Sequence, residues 1–409
     1  MILFVLTKLI SSKQGLNTAV KRSKVEAEID NSMKVLQILE ATGGGTARHV
    51  VDLCVGLAGQ GVEVHLAYSP LRMDRILEGG LPLLRQSGVR LLELPLRRAP
   101  HPGDLKALLA LRKYLKQAGL FDLVHGHSSK AGGLARLLRL LGSAKAVYTP
   151  HAFITLSPEI NDAARWVYGL VERGLSPLTN TLIAVSEDEA REAIRLGYPR
   201  EKVRIIPNAI DLGTSQGEAR EEVRGRLGLG HNDLAVGFVG RFVSQKAPLI
   251  LLGAFAKVAP KNPQARLVMV GDGPLENTLK QRARELALED RVIWPGFMDG
   301  RQAMRAFDIF TLSSDYEGFP YVLLEAMAEG LPLVATRVGG TEMAIREGEN
   351  GFVVPIGDIQ GFAQSLDLLL SDTALRRRMG ENSRIRVQQF TVDKMVEATL
   401  ALYKELLQE

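Results

Sequence analysis

The chain has little that would hold it together covalently or bury it in a bilayer. Cys54 is the single cysteine among 409 residues, so no internal disulfide can form and the fold must rest on packing. It sits in an apolar helical pattern, which reads as a buried, inert thiol suited to a reducing compartment. No apolar run reaches the roughly 18–20 residues that a spanning helix needs. The opening "MILFVLTKLI" is interrupted by Lys8, has no basic segment before it and leads to no small-residue cleavage site, so it does not read as a secretory signal. Residues 1–32 read as an N-terminal extension, because Met33 opens the first strand-like run.

Two motif absences narrow the chemistry. Gly43 and Gly45 are followed by Arg48 where a dinucleotide fingerprint wants a third glycine. The second strand-like run ends in "AYSP", without the acid that would hold an adenosine ribose, and the nicotinamide reading falls. No Asp-x-Asp occurs anywhere, so a carboxylate pair holding a metal-bound diphosphate is unsupported, and no metal or cofactor is expected.

What is present is ordinary for a globular protein. Hydrophobic residues make up 46% of the chain and charged residues 24%, which argues against disorder, and the length suits two domains. The formal charge of +5 favours anionic partners, and phosphates or a membrane surface suit it as well as nucleic acid. Short apolar runs alternate with helical patterns: "KVLQILE", "VEVHLAY", "FDLVHGH", "AKAVYTP" and "TLIAVS", then "LAVGFVG", "ARLVMVG", "DRVIWPG", "DIFTLSS" and "PLVATRV". Such alternation predicts α/β architecture, with two parallel sheets covered on both faces. Between the series, "PNAIDLGTSQGEAREEVRGRLGLGHND" reads as a linker carrying a short helix.

In such sheets ligands bind beyond the carboxyl ends of the strands. "TGGGTARH" follows the first strand, and its glycines let backbone approach an anion at a helix start, though a tight turn would need the same residues. "VGRFVSQK" puts Arg241 and Lys246 beyond a strand with a helix start expected between them, which suits a diphosphate. "VGDGPLEN" brackets Asp272 with Gly271 and Gly273 and is weak by itself. In "SSDYEGFPYVLLEAMAEGLPLVAT", Gly318 suits a turn and Pro320 the first turn of a helix. Glu317 then lies in the loop and Glu325 about one and a half turns into the helix. A nucleotide sugar has a matching layout of polyol, diphosphate and polyol, and carboxylates accept hydrogen bonds from paired hydroxyls.

These segments, with "AVSEDEAREAIRLGYPREKVRIIPNAID" and "YTPHAF", resemble the family-4 retaining glycosyltransferases with their two-domain GT-B fold, from Met33 to the C-terminus. The resemblance implies a domain over 33–208 on the acceptor side, a nucleotide-sugar-binding domain over 209–389 and a C-terminal helix over 390–409 packing back on the first. It implies that Glu317 contacts the transferred sugar and Glu325 the ribose, with Arg241 and Lys246 on the leaving diphosphate. Gly44 and Gly45 would approach the phosphates from the opposite domain, and His151 would line the reacting centre. Gly271, Asp272, Gly273, Gly318, Phe319 and Pro320 complete the implied donor site. Ala247-Pro248 departs from the glycine more usual after the lysine.

His125 and His127 alternate, so on a strand they share a face. Without a third ligand nearby they make a poor metal site, and His127 is the better candidate for the acceptor side. His49 reads as packed or capping. The expected activity is transfer of a hexosyl group from a nucleotide sugar, with uridine diphosphate the family's implied leaving group, to a hydroxyl acceptor in surface polysaccharide or glycolipid synthesis. A nucleotide-sugar epimerase of the same fold and a non-catalytic nucleotide-sugar-binding protein remain open alternatives. "HSSKAG" leans towards a lipid-linked saccharide acceptor and a cytoplasmic enzyme with peripheral contact on the inner face of the membrane. Nucleic acid is not an expected partner. "KAGGLARLLRLLGSAK", with Arg136, Arg139 and Lys145, reads either as a helix against anionic lipid or as a core helix with basic ends.

Overall fold

Thirteen strands in two parallel sheets organise the described residues. The computed structural model describes residues 33–97, 101–142, 144–213 and 218–408. Met33–Glu409 forms a compact unit by itself, and the expected extension over 1–32 lies outside the described residues.

The first sheet contains Lys34–Leu39 (β1), Glu63–Tyr68 (β2), Arg90–Glu93 (β3), Leu123–His127 (β4), Lys145–Thr149 (β5), Thr181–Ala184 (β6) and Val203–Ile205 (β7), in the order β3-β2-β1-β4-β5-β6-β7. The second contains Leu234–Val239 (β8), Ala265–Val270 (β9), Val292–Gly296 (β10), Ile309–Leu312 (β11), Leu333–Thr336 (β12) and Gly351–Val354 (β13), in the order β10-β9-β8-β11-β12-β13. The ten quoted runs all form strands. β3, β7 and β13 were not anticipated, and each is a short edge strand with little unbroken burial.

The strand order reverses between β1 and β4 in one sheet and between β8 and β11 in the other. Helices leave opposite faces at such a point and open a crevice for a ligand. Register makes the crevice even, since Leu39 pairs with both Tyr68 and His127 and the strand ends finish level. The glycine loop follows β1, His127 ends β4, Arg241 follows β8 and Glu317 follows β11.

Continuous apolar strands bury both faces, and helices seal them. Helix Gly44–Gly59 covers β1 and β2 with Val50, Leu53, Cys54 and Leu57, all fully buried. Burial pushes the Cys54 thiol up, away from the thiolate range, so it is inert at neutral pH. The chain returns from the second sheet beside the outgoing strand: Ile210 donates to the Phe390 carbonyl at 2.8 Å and Val392 donates to Ile210 at 3.3 Å. Helix Val392–Gln408 then packs on helix Gly44–Gly59, where a Cβ on Gly56 would meet Val396 at 2.3 Å. Its Tyr403 is fully buried and hydrogen-bonds Gln37 and His125 in the first sheet.

The leucine-rich segment takes the second of its two readings, except that Arg136 lies inside the core and not at a basic end. Helix Ser129–Leu141 is a core helix, and its Arg136 is fully buried. Glu172 takes the guanidinium at 2.7 Å, and Arg136 also donates to the Gly132 carbonyl and to Tyr198. A charge held this completely is unavailable to lipid. Among the described residues, no helix is long and apolar enough to cross a membrane.

Candidate active site

The two crevices face one another across a cavity of about 230 Å³. Gly45, Thr46, His151, Val185 and Asn208 line it from the first sheet's side, and Lys246 with the run Glu317–Val322 from the second's. Gly45 stands where nothing larger fits, because a Cβ there would lie 2.8 Å from the Tyr321 ring. The β1 loop therefore rides directly on the helix that carries Glu325.

That helix spans Tyr321–Ala328, with Pro320 at its N-cap in extended conformation. The expected place for Pro320 was the first turn, and the helix starts one residue later. Lys246 is corrected similarly. It closes a single 3-10 turn, Ser244–Lys246, and the helix begins at Pro248 after Ala247 in left-handed conformation. Proline at the first helical position and the unusual Ala247 backbone together set where Lys246 points.

Lys246 Nζ lies 2.5 Å from Glu317 Oε1, which also accepts the Ser314 hydroxyl at 2.7 Å. Glu325 is held differently, by Arg48 of the opposite side, with Nη1 at 2.5 Å from Oε1. Burial raises the Glu325 carboxyl above its usual range, and Arg48 opposes that rise. Arg48 was noted only for breaking a glycine pattern. Its signal was its position, one turn into the helix after a glycine loop, where a cation faces the crevice.

The other expected residues are less central. Arg241 is exposed and not among the lining residues. Gly44 donates its amide to Asp74 at 2.6 Å, so Gly45 is the loop glycine that faces the cavity. Gly271 and Gly273 have φ of +134° and +148° and press on the carbonyls of Gly240 and Phe242. They brace the Arg241 loop from behind, with Asp272 exposed beside them and its carbonyl accepting the Phe242 amide.

The histidines gather more closely than expected. His125 and His127 share a face of β4, with ring centroids 4.1 Å apart. His125 turns to Tyr403 and Thr149. His127 is buried away from the cavity and reaches it through His151, whose Nε2 lies 3.0 Å from His127 Nδ1. His49 joins His127 and His151 in a group whose nitrogens lie within 4.8 Å of one another, so the spacing falls on this trio and not on the expected pair of His125 and His127. Among the described residues this trio is the set with spacing compatible with a metal ion.

Tautomers follow from the neighbours. Asn208 spends its amide hydrogens on the Phe319 carbonyl, so its oxygen accepts from His49 Nδ1. Gln37 donates to Tyr403, and its oxygen faces His127 Nε2. Burial depresses His49 to about 4 and holds His125, His127 and His151 well below the usual range, so all four are neutral near pH 7.

Sequence reading missed Glu189 altogether. His151 and Ala152 both have positive φ, +55° and +80°, a costly conformation outside glycine. Fully buried Glu189 spans the strain, accepting the Ala152 amide at 2.6 Å and the Val185 amide at 2.7 Å. Burial lifts its carboxyl to about 7 against those two amides.

Comparison with known proteins follows this geometry. Residues 44–209 match the model of a glycosyl transferase 4-like domain, and residues 219–386 match that of glycosyl transferases group 1. Over 316 residues the chain is 32% identical to UDP-Gal:alpha-D-GlcNAc-diphosphoundecaprenol alpha-1,3-galactosyltransferase of Escherichia coli, spanning 74% of this chain and 80% of that one. The chain belongs to the group 1 glycosyltransferases. The glycosyltransferase is also 29% identical to N-acetyl-alpha-D-glucosaminyl L-malate synthase of Bacillus anthracis over 377 residues, 90% of this chain and 95% of that one. Its fold is GT-B. HepE of Anabaena, solved with UDP and glucose, superposes with a TM-score of 0.77 at 24% identity, covering 91% of this chain and all of that one. Sucrose-phosphate synthase of Thermosynechococcus elongatus superposes with a TM-score of 0.77 at 24% identity over 92% of this chain and 99% of that one.

Proposed function

We propose that this glycosyltransferase moves a hexosyl group from a nucleotide sugar to a hydroxyl acceptor, with retention and without a metal, in surface polysaccharide or glycolipid synthesis. The observation that carries the reading is the shared cavity, where Gly45 and His151 from one sheet meet Lys246 and Glu317 from the other. The donor's diphosphate would lie at Lys246 and the loop amides, within reach of Arg241. Glu317 would accept from the sugar hydroxyls, and Glu325 from the ribose.

Transfer breaks the bond between the anomeric carbon and the diphosphate oxygen and forms one to the acceptor oxygen. Charge grows on the departing diphosphate, and a cation placed there in advance stabilises it more in the transition state than in the ground state. The acceptor's proton would pass to that departing oxygen on the same face. The buried histidines, neutral near pH 7, would shape the acceptor side without adding charge.

The Escherichia coli relative is named for UDP-Gal and a diphosphoundecaprenol acceptor, and HepE was solved with UDP. These support a uridine diphosphate sugar as donor and a lipid-linked saccharide as acceptor, met by a cytoplasmic enzyme resting peripherally on the membrane. The test is a screen of nucleotide sugars read by nucleotide release, with the anomeric configuration of any product assigned by NMR. Release with retention, unchanged after dialysis against EDTA, is expected. An epimerised sugar without release would overturn transfer, and activity lost to EDTA and restored by magnesium or manganese would overturn the metal-free route.

A further inference from the structure

The two oxygens of Glu325 are unequal. Oε1 is taken by Arg48 from the other side of the cleft, whereas Oε2 has no donor among the described residues. Arg48 is itself fixed from three directions. Asp52 lies 3.8 Å from its Nε one turn along the same helix, Glu325 is in front, and the Tyr321 ring centroid is 5.2 Å from the guanidinium carbon. The Glu325 side chain is only 14% exposed, so its surroundings favour the neutral acid. A neutral carboxyl is a much poorer partner for a diol than a carboxylate.

We propose that Arg48 is the positioning residue for nucleotide binding: by gripping Glu325 Oε1 it keeps the carboxylate ionised and turns Oε2 towards the ribose hydroxyls. The inference rests on the reading of Glu325 as the ribose acceptor. It also makes that acceptor depend on both halves of the cleft, because the acid comes from one side and its counter-charge from the other. Several charged groups face Glu325. Arg48 and Asp52 come from helix Gly44–Gly59, Asp299 and Arg301 from the turn and helix after β10, and Tyr321 and Glu329 from its own helix and C-cap. Arg301 is drawn off by Glu329, 3.4 Å away, and Asp299 pushes the carboxyl up. Arg48 is the cation in direct contact.

The experiment compares the full-length chain with Arg48→Met, Arg48→Lys and Glu325→Gln. Calorimetry measures binding of whichever of uridine, guanosine and adenosine diphosphate the unaltered chain binds tightest, from about pH 7 to about pH 8.5, above the phosphate titration and below that of the base N–H. Affinity of the unaltered chain should stay flat. Arg48→Met should bind about tenfold or more weakly at the low end, on the scale of a lost charge-assisted hydrogen bond, and recover as rising pH ionises Glu325. Arg48→Lys should stay close to the unaltered chain, which keeps the proposal testable if the methionine variant does not fold. Weakening by one constant factor at every pH, or no weakening, would overturn the proposal, as would a lysine variant as impaired as the methionine one. Glu325→Gln should bind weakly at all pH values. If it binds normally, the ribose reading of Glu325 fails first.

Discussion

Two arginine–glutamate pairs in this glycosyltransferase share their chemistry and differ in what is left over. In the pair of Arg136 and Glu172, both side chains are buried and each is enclosed by further partners. The guanidinium lies 4.2 Å from the Tyr148 centroid, and Glu172 also accepts the Tyr198 hydroxyl at 2.7 Å and that of Tyr148 at 3.3 Å. In the pair of Arg48 and Glu325, the side chains are 24% and 14% exposed, the partners come from opposite sides of a cleft, and one carboxylate oxygen has no donor among the described residues. A closed network stiffens a domain, and an open one keeps capacity for a ligand. The sequence shows an arginine and a glutamate in both cases; only the fold shows which pair is complete.

The comparison breaks most visibly through Glu172. Glu172→Ala leaves a buried arginine without its counter-charge and should cost about 3–5 kcal/mol of stability, read by urea unfolding. Nucleotide affinity of the folded protein should not change. A fall in affinity at unchanged stability would mean that the first pair serves the site as well.

Glu317→Ala comes next. Its acid is expected to act on the sugar that develops charge, so turnover should fall by about a hundredfold or more while the donor KM moves little. Lys246→Ala should follow the same pattern. Arg241→Ala should lower turnover less, because the exposed Arg241 is not among the lining residues. If Arg241→Ala proves the more damaging of the two, the loop must close further over the donor than it does in this structure.

Glu325→Ala should weaken nucleotide binding by about 1.5–3 kcal/mol, the scale of hydrogen bonds to a charged group, and leave turnover at saturating donor less affected. Normal kinetics in both glutamate variants would end the reading of Glu317 on the sugar and Glu325 on the ribose. The split between them is what separates a group felt in the transition state from one felt on binding.

How much of this could be read in advance follows from what each feature depends on. Nine of the ten legible strands are interior, where burial on both faces writes an unbroken apolar run; the tenth, Val292–Gly296, is an edge strand that still carries apolar residues. Edge strands such as Arg90–Glu93 and Val203–Ile205 are half wet and three or four residues long, and their runs look like loop. Glu317, Glu325 and Lys246 stood out because each sits beside a turn signal after a strand. Arg48, Glu189 and the gathering of His49 with His127 and His151 did not, since their meaning lies in partners such as Asn208 and Ala152 that are far away in the chain. Arg136 left two readings open for the opposite reason: all-round leucine suggests core and a basic residue suggests a surface, and Glu172 against it decides for the core.

The smallest effect is expected at the front of the chain. β1 begins at Lys34, and the Met33 carbonyl already accepts the Glu63 amide at 2.9 Å. Every strand of both sheets lies within Met33–Glu409, which forms a compact unit. A chain beginning at Met33 should therefore fold with an unchanged melting temperature and turn over a soluble acceptor at an unchanged rate. Aggregation or loss of nucleotide binding would show that residues 1–32 belong to the first domain. If only binding to anionic vesicles falls, those residues serve as an anchor, and the weight shifts towards a lipid-linked acceptor.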